Sequence, residues 1–482
     1  MSDMVNTPSV RIGLVGATRP YFSASLSERR LDALAKAIKE ADVDLHRCSA
    51  IIQSDGDVSA ALAELSRENC NAAVVYLGNF GPEGPAGLFA KKFDGPVMYC
   101  GAAEEDQEAL AKDRGDALCG LLNVSFNLNL RKARAYVPAT PIALPNELVQ
   151  EVAFFESVAR IVIGVRNLKI LAFGPRPQEF FACYAPLQPL ISLGIEVMEN
   201  SELDLYQEHK RAADKKAAID ACVADMRKEL GGDGRNADLF IKMAQLEVAL
   251  ADFFERNITP NQFGVFANKC WPAFQGEFGF LPCYVNSRLS GSGIPIACEV
   301  DLCGAVSQYM VQLASDRPAT LLDINNSVPA DVLPEQADLK GADTQDLFMG
   351  FHCGNTYSGC MTNPFLNPPG KIEGQIRPGP ITLFRLQASP EGMLKSYVAE
   401  GHVLDIPPKT FGSTGIIAIP HFARFYRHVL IAKAFPHHAA VGFQQVGRVL
   451  FEALAVLGVE EIHVPLPPSL LYDRENPFHV LR

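Results

Sequence analysis

No stretch of the chain approaches the ~18 consecutive apolar residues that a membrane-crossing helix needs. The opening residues, MSDMVNTPSVRIGLVGA, place no basic region ahead of a long apolar segment, so no secretory leader is expected. The expected compartment is the cytoplasm. Basic runs are missing too: 43 Lys and Arg stand against 55 Asp and Glu, a net charge of -12. Such a chain is poorly equipped to wrap a phosphate backbone, which sets nucleic acid aside as the main partner. The 12 cysteines never form a C-x-x-C pair and read as reduced thiols, mostly buried as small hydrophobes. Gly16 follows a strand-like run but lacks G-x-G-x-x-G, and no G-x-x-x-x-G-K-[ST] is present. Ser287, Ser290 and Ser292 do not form a G-x-S-x-G elbow. Nicotinamide, ATP and serine-hydrolase chemistry therefore drop out.

What is present is a globular composition, with 48% hydrophobic and 20% charged residues, which excludes wholesale disorder. The length of 482 residues allows roughly three domains at about 150 residues each. Short apolar runs alternate with helical patterns at first. Val10–Val15, Ala72–Leu77 and Pro96–Cys100 read as strands, and Leu31, Leu34, Ala35 and Ile38 share one face of a helix over Ser27–Glu40. This alternation predicts a parallel sheet, with Thr18-Arg19-Pro20-Tyr21 beyond a strand's carboxyl end, where ligands bind. A second α/β unit is expected from Leu168–Phe173, with strands at Gly194–Met198 and Gln262–Phe266. Helical patterns run over Glu208–Glu229 and Ala237–Arg256, separated by a turn at Gly231–Gly234. From about Asp346 Pro and Gly become frequent, and strands such as Ile381–Leu386 predict a β-rich region whose long helix is Gln444–Leu457. The expected domains are 1–165, 166–345 and 346–482.

Eight of the ten histidines lie after residue 350, which directs the search for metal or proton chemistry there. Just upstream, Glu299 follows the apolar Ile294–Ala297, and Asp323 ends the apolar Leu321-Leu322. A carboxylate in such a place is costly to bury without a cation or hydrogen bonds. Joined by one helix, the two fit neighbouring strands that deliver both acids to one rim. Together with a histidine they suit Mn2+ or Mg2+ with open positions for substrate oxygens. The plainer alternatives are that Glu299 caps the following helix and that Asp323 makes a turn. His352 and Asn355 read as ligand or substrate contacts, or as hydrogen-bonded structural groups. Of His437 and His438, at most one is expected to enter a site, because adjacent side chains of an extended chain diverge. Trp271, four residues before Gln275, can stack on a sugar ring or serve as core.

These segments, taken in order, resemble the L-fucose isomerase / L-arabinose isomerase family. The likeness is carried by Asn268-Lys269-Cys270-Trp271-Pro272, Pro282-Cys283 and the run Gly293 to Asp301. It continues through Asp323-Ile324-Asn325-Asn326, His352-Cys353-Gly354-Asn355 and Glu373-Gly374-Gln375. Gly379 to Arg385, Gly412-Ser413-Thr414-Gly415 and Pro436-His437-His438-Ala439 complete it. The stretch before Asn268 matches mainly in its strand–helix alternation. The resemblance implies two flavodoxin-like, doubly wound α/β domains followed by a β-barrel-like C-terminal domain. It implies Mn2+ (Mg2+ or Co2+ as substitutes) held by Glu299, Asp323 and His438, with the two carboxylates catalytic. Asp at the second position is similar to the fucose branch. His352 is similar to an additional histidine of the arabinose branch. Substrate contacts are expected from Arg19, Trp271, Gln275, His352 and Asn355. The resemblance further implies a homo-oligomer, often a hexamer, with sites between subunits and Arg19 reaching a neighbour's site.

The expected activity is interconversion of an aldose and a ketose through an enediolate. The cation acts there as Lewis acid and template, while the carboxylates move protons. L-Fucose, D-arabinose and L-arabinose are the candidate sugars. A 6-substituted hexose such as sulfoquinovose is the alternative, which calls for Arg or Lys at the sugar's far end, with Arg19, Arg288 and Arg377 as candidates. A non-catalytic sugar-binding protein and a lyase or epimerase using the same enediolate are the other readings.

Overall fold

The computed structural model describes residues 6–230 and 236–475, so the expected turn at Gly231–Gly234 and His479 lie outside the described residues. The chain divides into two units, one built on Pro8–Ile163 and the other on Gly164–Phe451.

The N-terminal unit holds a parallel sheet ordered β2-β1-β3-β4-β5. Its strands are β1 (Ile12–Ala17), β2 (Leu45–Ile52), β3 (Ala72–Leu77), β4 (Val97–Ala102) and β5 (Ile142–Ala143). The expected β3 run, AAVVYL, is buried at every position, and a strand buried on both faces can be continuously apolar. Ser23 caps the helix Ala24–Glu40 by accepting from Leu26 N at 3.2 Å, and the helix buries Leu31, Leu34, Ala35 and Ile38 as their spacing requires. Beyond the end of β1, Asn79 accepts from Arg19 N at 3.0 Å and donates to Thr18 Oγ1 at 2.6 Å.

The other unit contains two sheets. The first is parallel, ordered β7-β6-β8-β9, with β6 (Leu168–Gly174), β7 (Glu196–Ser201), β8 (Phe263–Ala267) and β9 (Ile296–Ala297). The helical pattern expected over Glu208–Glu229 is two helices, Glu202–Ala212 and Lys216–Leu230. Ser201 and Asp204 form a capping box that starts the first helix six residues early. Among the described residues, no helix is long and apolar enough to cross a membrane.

The second sheet is mixed, with nine strands: β10 (Thr320–Ser327), β11 (Leu347–His352), β12 (Met361–Asn367), β13 (Lys371–Ile376), β14 (Gly379–Ala388), β15 (Leu394–Val403), β16 (Ser413–Ala418), β17 (His438–Gly442) and β18 (Glu461–His463). Its order is β12-β13-β16-β11-β10-β17-β14-β15-β18, and β15 also pairs with β16. That extra pairing closes β16, β11, β10, β17, β14 and β15 into an antiparallel ring. A core that includes Leu322, Ile381, Leu383, Tyr397, Ile417 and Val441 packs with it. The carboxylate-bearing strands are therefore not neighbours in one sheet, as expected, because the helix Leu302–Ser315 carries the chain from β9 of one sheet to β10 of the other.

Candidate active and metal-binding site

Strand register places two of the three side chains. In the antiparallel pair β10–β17, Asp323 stands directly opposite His438, and opposed residues project from the same face. Glu299 comes from the other sheet, on a single turn (Cys298–Val300) that follows β9. That turn holds Glu299 at φ 56° and Val300 at φ 55°, a left-handed conformation that is strained for a β-branched residue. It is fixed by Val300 N donating to Asn268 O at 2.9 Å. His438 Nε2 then lies 3.7 Å from Glu299 Oε2 and 3.5 Å from Asp323 Oδ1.

The ring of His438 is oriented from behind. Its Nδ1 is 2.9 Å from Asp301 Oδ2, and an ionised carboxylate only accepts, so Nδ1 donates and Nε2 is the nitrogen turned to the two acids. Burial by itself would raise the Asp301 carboxyl, but the Arg385 guanidinium and His438 hold it well below the usual carboxylate range. Arg385 grips it in fork geometry, Nη1 to Oδ2 at 2.5 Å and Nη2 to Oδ1 at 2.9 Å, and donates to Gln387 as well. Asp301, and not Glu299, caps the following helix by accepting from Gly304 N at 2.8 Å. A Cβ on residue 304 would sit 2.5 Å from Asp301 Oδ2, which explains the glycine.

Glu299 is thus left without capping work. Burial pushes its carboxyl up, an effect that His352 and His438 only partly offset. Glu299 Oε2 and Asp323 Oδ1, the atoms nearest His438 Nε2, are buried and have no hydrogen-bond partner. Two orphaned carboxylate oxygens beside an imidazole nitrogen form a donor set of the kind that Mn2+ or Mg2+ accepts.

The surrounding wall is aromatic. Trp271 Nε1 points to Glu299 Oε1 at 3.4 Å, and the Phe180 ring stands edge-on to Trp271 and His437. His437 Nε2 is 3.8 Å from Asp323 Oδ1, so both histidines of the pair approach the same acid. The expected divergence fails because His437 precedes β17, and strand alternation begins only at His438. His352 is buried at the end of β11 with Nδ1 unpartnered. Asn355, also buried, donates to Ile296 O at 3.2 Å and keeps Oδ1 free of partners. Gln275 is exposed on the short helix Phe274–Phe278. Arg19 belongs to the N-terminal unit, where it donates to Gly81 O at 2.9 Å, covers the Phe80 ring at 4.3 Å and lies 3.7 Å from Glu83. Arg288 is occupied by Asp225, Glu229 and Glu247. Together with Arg377 it lines a cavity of about 1010 Å³ that includes none of Glu299, Asp323 and His438.

Sequence reasoning passed over Asp301 as a positioning group, Arg385 as its partner, and the loop after β6 that supplies Phe180 and Cys183, whose Sγ is 3.7 Å from His438 Nδ1. The same loop carries Arg176, stacked over Phe181 at 4.7 Å and Tyr184 at 5.7 Å. A signal existed for Asp301: an acid three residues before Gly304, at a strand-to-helix junction. For the loop the signal was its place alone, Gly174-Pro175-Arg176-Pro177 beyond the carboxyl end of a strand.

Residues 13–166 match the family model of the fucose/sulfoquinovose isomerase N-terminal domain, and residues 349–463 that of the L-fucose isomerase C-terminal domain. The N-terminal likeness is therefore more than the strand–helix alternation read from sequence. A sulfoquinovose isomerase of Priestia aryabhattai is 24% identical over 331 residues, covering 66% of this chain and 68% of that protein. One from Alkalicoccus urumqiensis is 26% identical over 290 residues, covering 58% and 60%. Two family models in the expected order flank the region that brings Glu299 and Asp323 to His438, and the chain belongs to the fucose-isomerase-like family.

Proposed function

We propose that the chain is a divalent-cation-dependent aldose–ketose isomerase whose substrate is a 6-sulfonated aldohexose such as sulfoquinovose. The isomerase class follows from the family and from relatives that are themselves sulfoquinovose isomerases. The observation that carries the cation dependence is the pair of buried, unpartnered oxygens, Glu299 Oε2 and Asp323 Oδ1, on either side of His438 Nε2. Held by these three residues, Mn2+ (or Mg2+ or Co2+) supplies a Lewis acid for the sugar's carbonyl and neighbouring hydroxyl oxygens.

The chain's own residues do the rest. Glu299 and Asp323 share the proton work: a carboxylate removes the C2 proton and returns it to C1, and the other acid passes the O2 proton to O1. Trp271 and Phe180 offer apolar edges to the sugar and keep water from the reacting carbons. The reading also includes assembly of several copies. It is supported by an unpartnered stripe on the helix Ala117–Leu130, where Leu118, Leu122, Phe126 and Leu130 are all exposed.

The test is product analysis of sulfoquinovose, L-fucose, D-arabinose and L-arabinose with the metal-stripped protein and with Mn2+ restored. The expected result is conversion of sulfoquinovose to its ketose in the presence of Mn2+ only. In D2O, solvent deuterium is expected at C1 of the product. Equal turnover after chelation would remove the cation from the reading, and turnover of L-fucose without sulfoquinovose would move the substrate to the neutral sugars.

In this reading Arg176, on the loop that also carries Phe180, receives the sulfonate. Its Nε is buried without a hydrogen-bond partner, and no carboxylate pairs with it among the described residues. A charge-assisted hydrogen bond of this kind is worth about 1.5–3 kcal/mol, roughly a 10- to 150-fold effect. Arg176→Met is therefore expected to raise KM for sulfoquinovose by about that factor with kcat changed little. An unchanged KM would place the anion contact elsewhere.

A further inference from the structure

Next to the three-residue site lies a second group of ligand-type side chains that the proposed isomerisation does not use. Cys270 follows β8, Cys283 opens the helix Cys283–Gly291, and Cys353 follows β11. Far apart in sequence, their Sγ atoms all lie within 4.8 Å of one another. Cys270 is the hub, with Cys283, Cys353 and Cys298 as neighbours. Cys298 sits one residue before Glu299, and Cys353 one residue after His352.

We propose that Cys270, Cys283 and Cys353 form a second, thiolate-lined site for one thiophilic cation of the Zn2+ or Cu+ class. Three sulfurs favour soft or borderline ions over the hard ion suited to Glu299, Asp323 and His438, although a Glu299 carboxylate oxygen also lies within 4.8 Å of Cys270 Sγ. Metal–sulfur bonds of about 2.3 Å put coordinated sulfurs roughly 3.8 Å apart, a spacing that a triangle within 4.8 Å reaches by side-chain rotation. Cys270 and Cys283 are buried with Leu281 and Cys298, and Trp271 packs on this cluster. Cys353, in contrast, is half-exposed and gives the ion an entry path.

The bound ion would tie three chain segments into one unit. Two of them bear site residues, since Trp271 follows Cys270 and His352 precedes Cys353. Its role is to position, and it leaves the reacting atoms to the other site. Three scattered thiols are otherwise ordinary small side chains, so the inference rests on their convergence.

The experiment loads the full-length protein with Co2+ after chelation under reducing conditions and reads thiolate-to-Co2+ charge-transfer absorption in the near ultraviolet. The expected result is this absorption at one equivalent of Co2+ in Asp323→Asn, and also in the parent protein, where the Glu299, Asp323 and His438 site takes a further equivalent, with loss in Cys283→Ser and in Cys353→Ser. Because the readout is independent of turnover, it stands or falls separately from the isomerase reading. If buried Cys283→Ser does not fold, half-exposed Cys353→Ser decides alone. Absence of the band in the parent protein, or its survival in Cys353→Ser, overturns the proposal. So does a disulfide mapped between any two of Cys270, Cys283 and Cys353 in the protein as isolated without reductant.

Discussion

Glu299→Gln and Asp323→Asn are each expected to lower kcat/KM for the isomerisation by at least about 1,000-fold, some 4 kcal/mol of transition-state stabilisation. Each replaces an oxygen that carries charge with a neutral amide of the same shape. Each thereby removes a ligand for the cation and a group able to take a proton from carbon. The effects should be far from additive, because the acids act as one unit and the double variant has little left to lose. Folding gives the control and an opposite sign. Glu299 is 8% exposed, its Oε2 has no partner, and its carboxyl is already pushed up by burial. In metal-free protein the uncompensated charge costs stability, so Glu299→Gln is expected to raise Tm there while activity disappears. With Mn2+ present the order reverses, since only the parent protein gains stability from a bound ion. Turnover at the parent rate by either single variant would end the assignment.

The split between what sequence shows and what it hides follows from the range of the interactions. β3 occupies the expected Ala72–Leu77 because a fully buried strand carries its signal in six consecutive residues. Helix Ala24–Glu40 was similarly local, written in the spacing of Leu31, Leu34, Ala35 and Ile38. The early start of Glu202–Ala212 was also written locally, in Ser201 and Asp204, but helical periodicity does not weigh a cap. Glu299, Asp323 and His438 were legible as a set only through family resemblance. What places the second acid opposite His438 is a β10–β17 register that no local pattern encodes. The least legible part is the loop after β6: Arg176, Phe180 and Cys183 stand in a segment with no periodicity. Their meaning comes from rings and a thiol packed on His437, His438 and Trp271, at far higher residue numbers. The Arg385–Asp301 pair has the same character, spanning 84 residues between two sheets.

That pair carries the second large effect, and its variants separate folding from function. Asp301 and Arg385 are both 0% exposed, so Asp301→Ala would strand a buried guanidinium and uncap the helix Leu302–Ser315. Removing one partner of a buried ion pair costs about 3–5 kcal/mol, so Asp301→Ala is expected to be severely destabilised or insoluble. Arg385→Met leaves the carboxylate to be satisfied by Gly304 N and His438 alone and should destabilise as well, though Met fills part of the volume. Asp301→Asn keeps the shape, and its amide oxygen at the Oδ1 position still accepts from Arg385 Nη2 and Gly304 N, but the NH2 at the Oδ2 position loses the bond from Arg385 Nη1 and faces it donor to donor, which costs stability. The amide NH2 then faces His438 Nδ1 as a donor and draws out the ring's other tautomer, with the proton on Nε2. A protonated Nε2 offers no lone pair between Glu299 and Asp323. The expected outcome is a protein that folds with a lowered Tm and whose Mn2+ affinity falls about 10- to 100-fold, the range typical when a partner behind a ligating histidine is lost. Activity should recover at saturating Mn2+ if orientation is all that Asp301 provides. Mn2+ titration of Asp301→Asn by activity and by calorimetry measures both. An affinity equal to the parent's would mean that His438 is not held for metal by Asp301 at all.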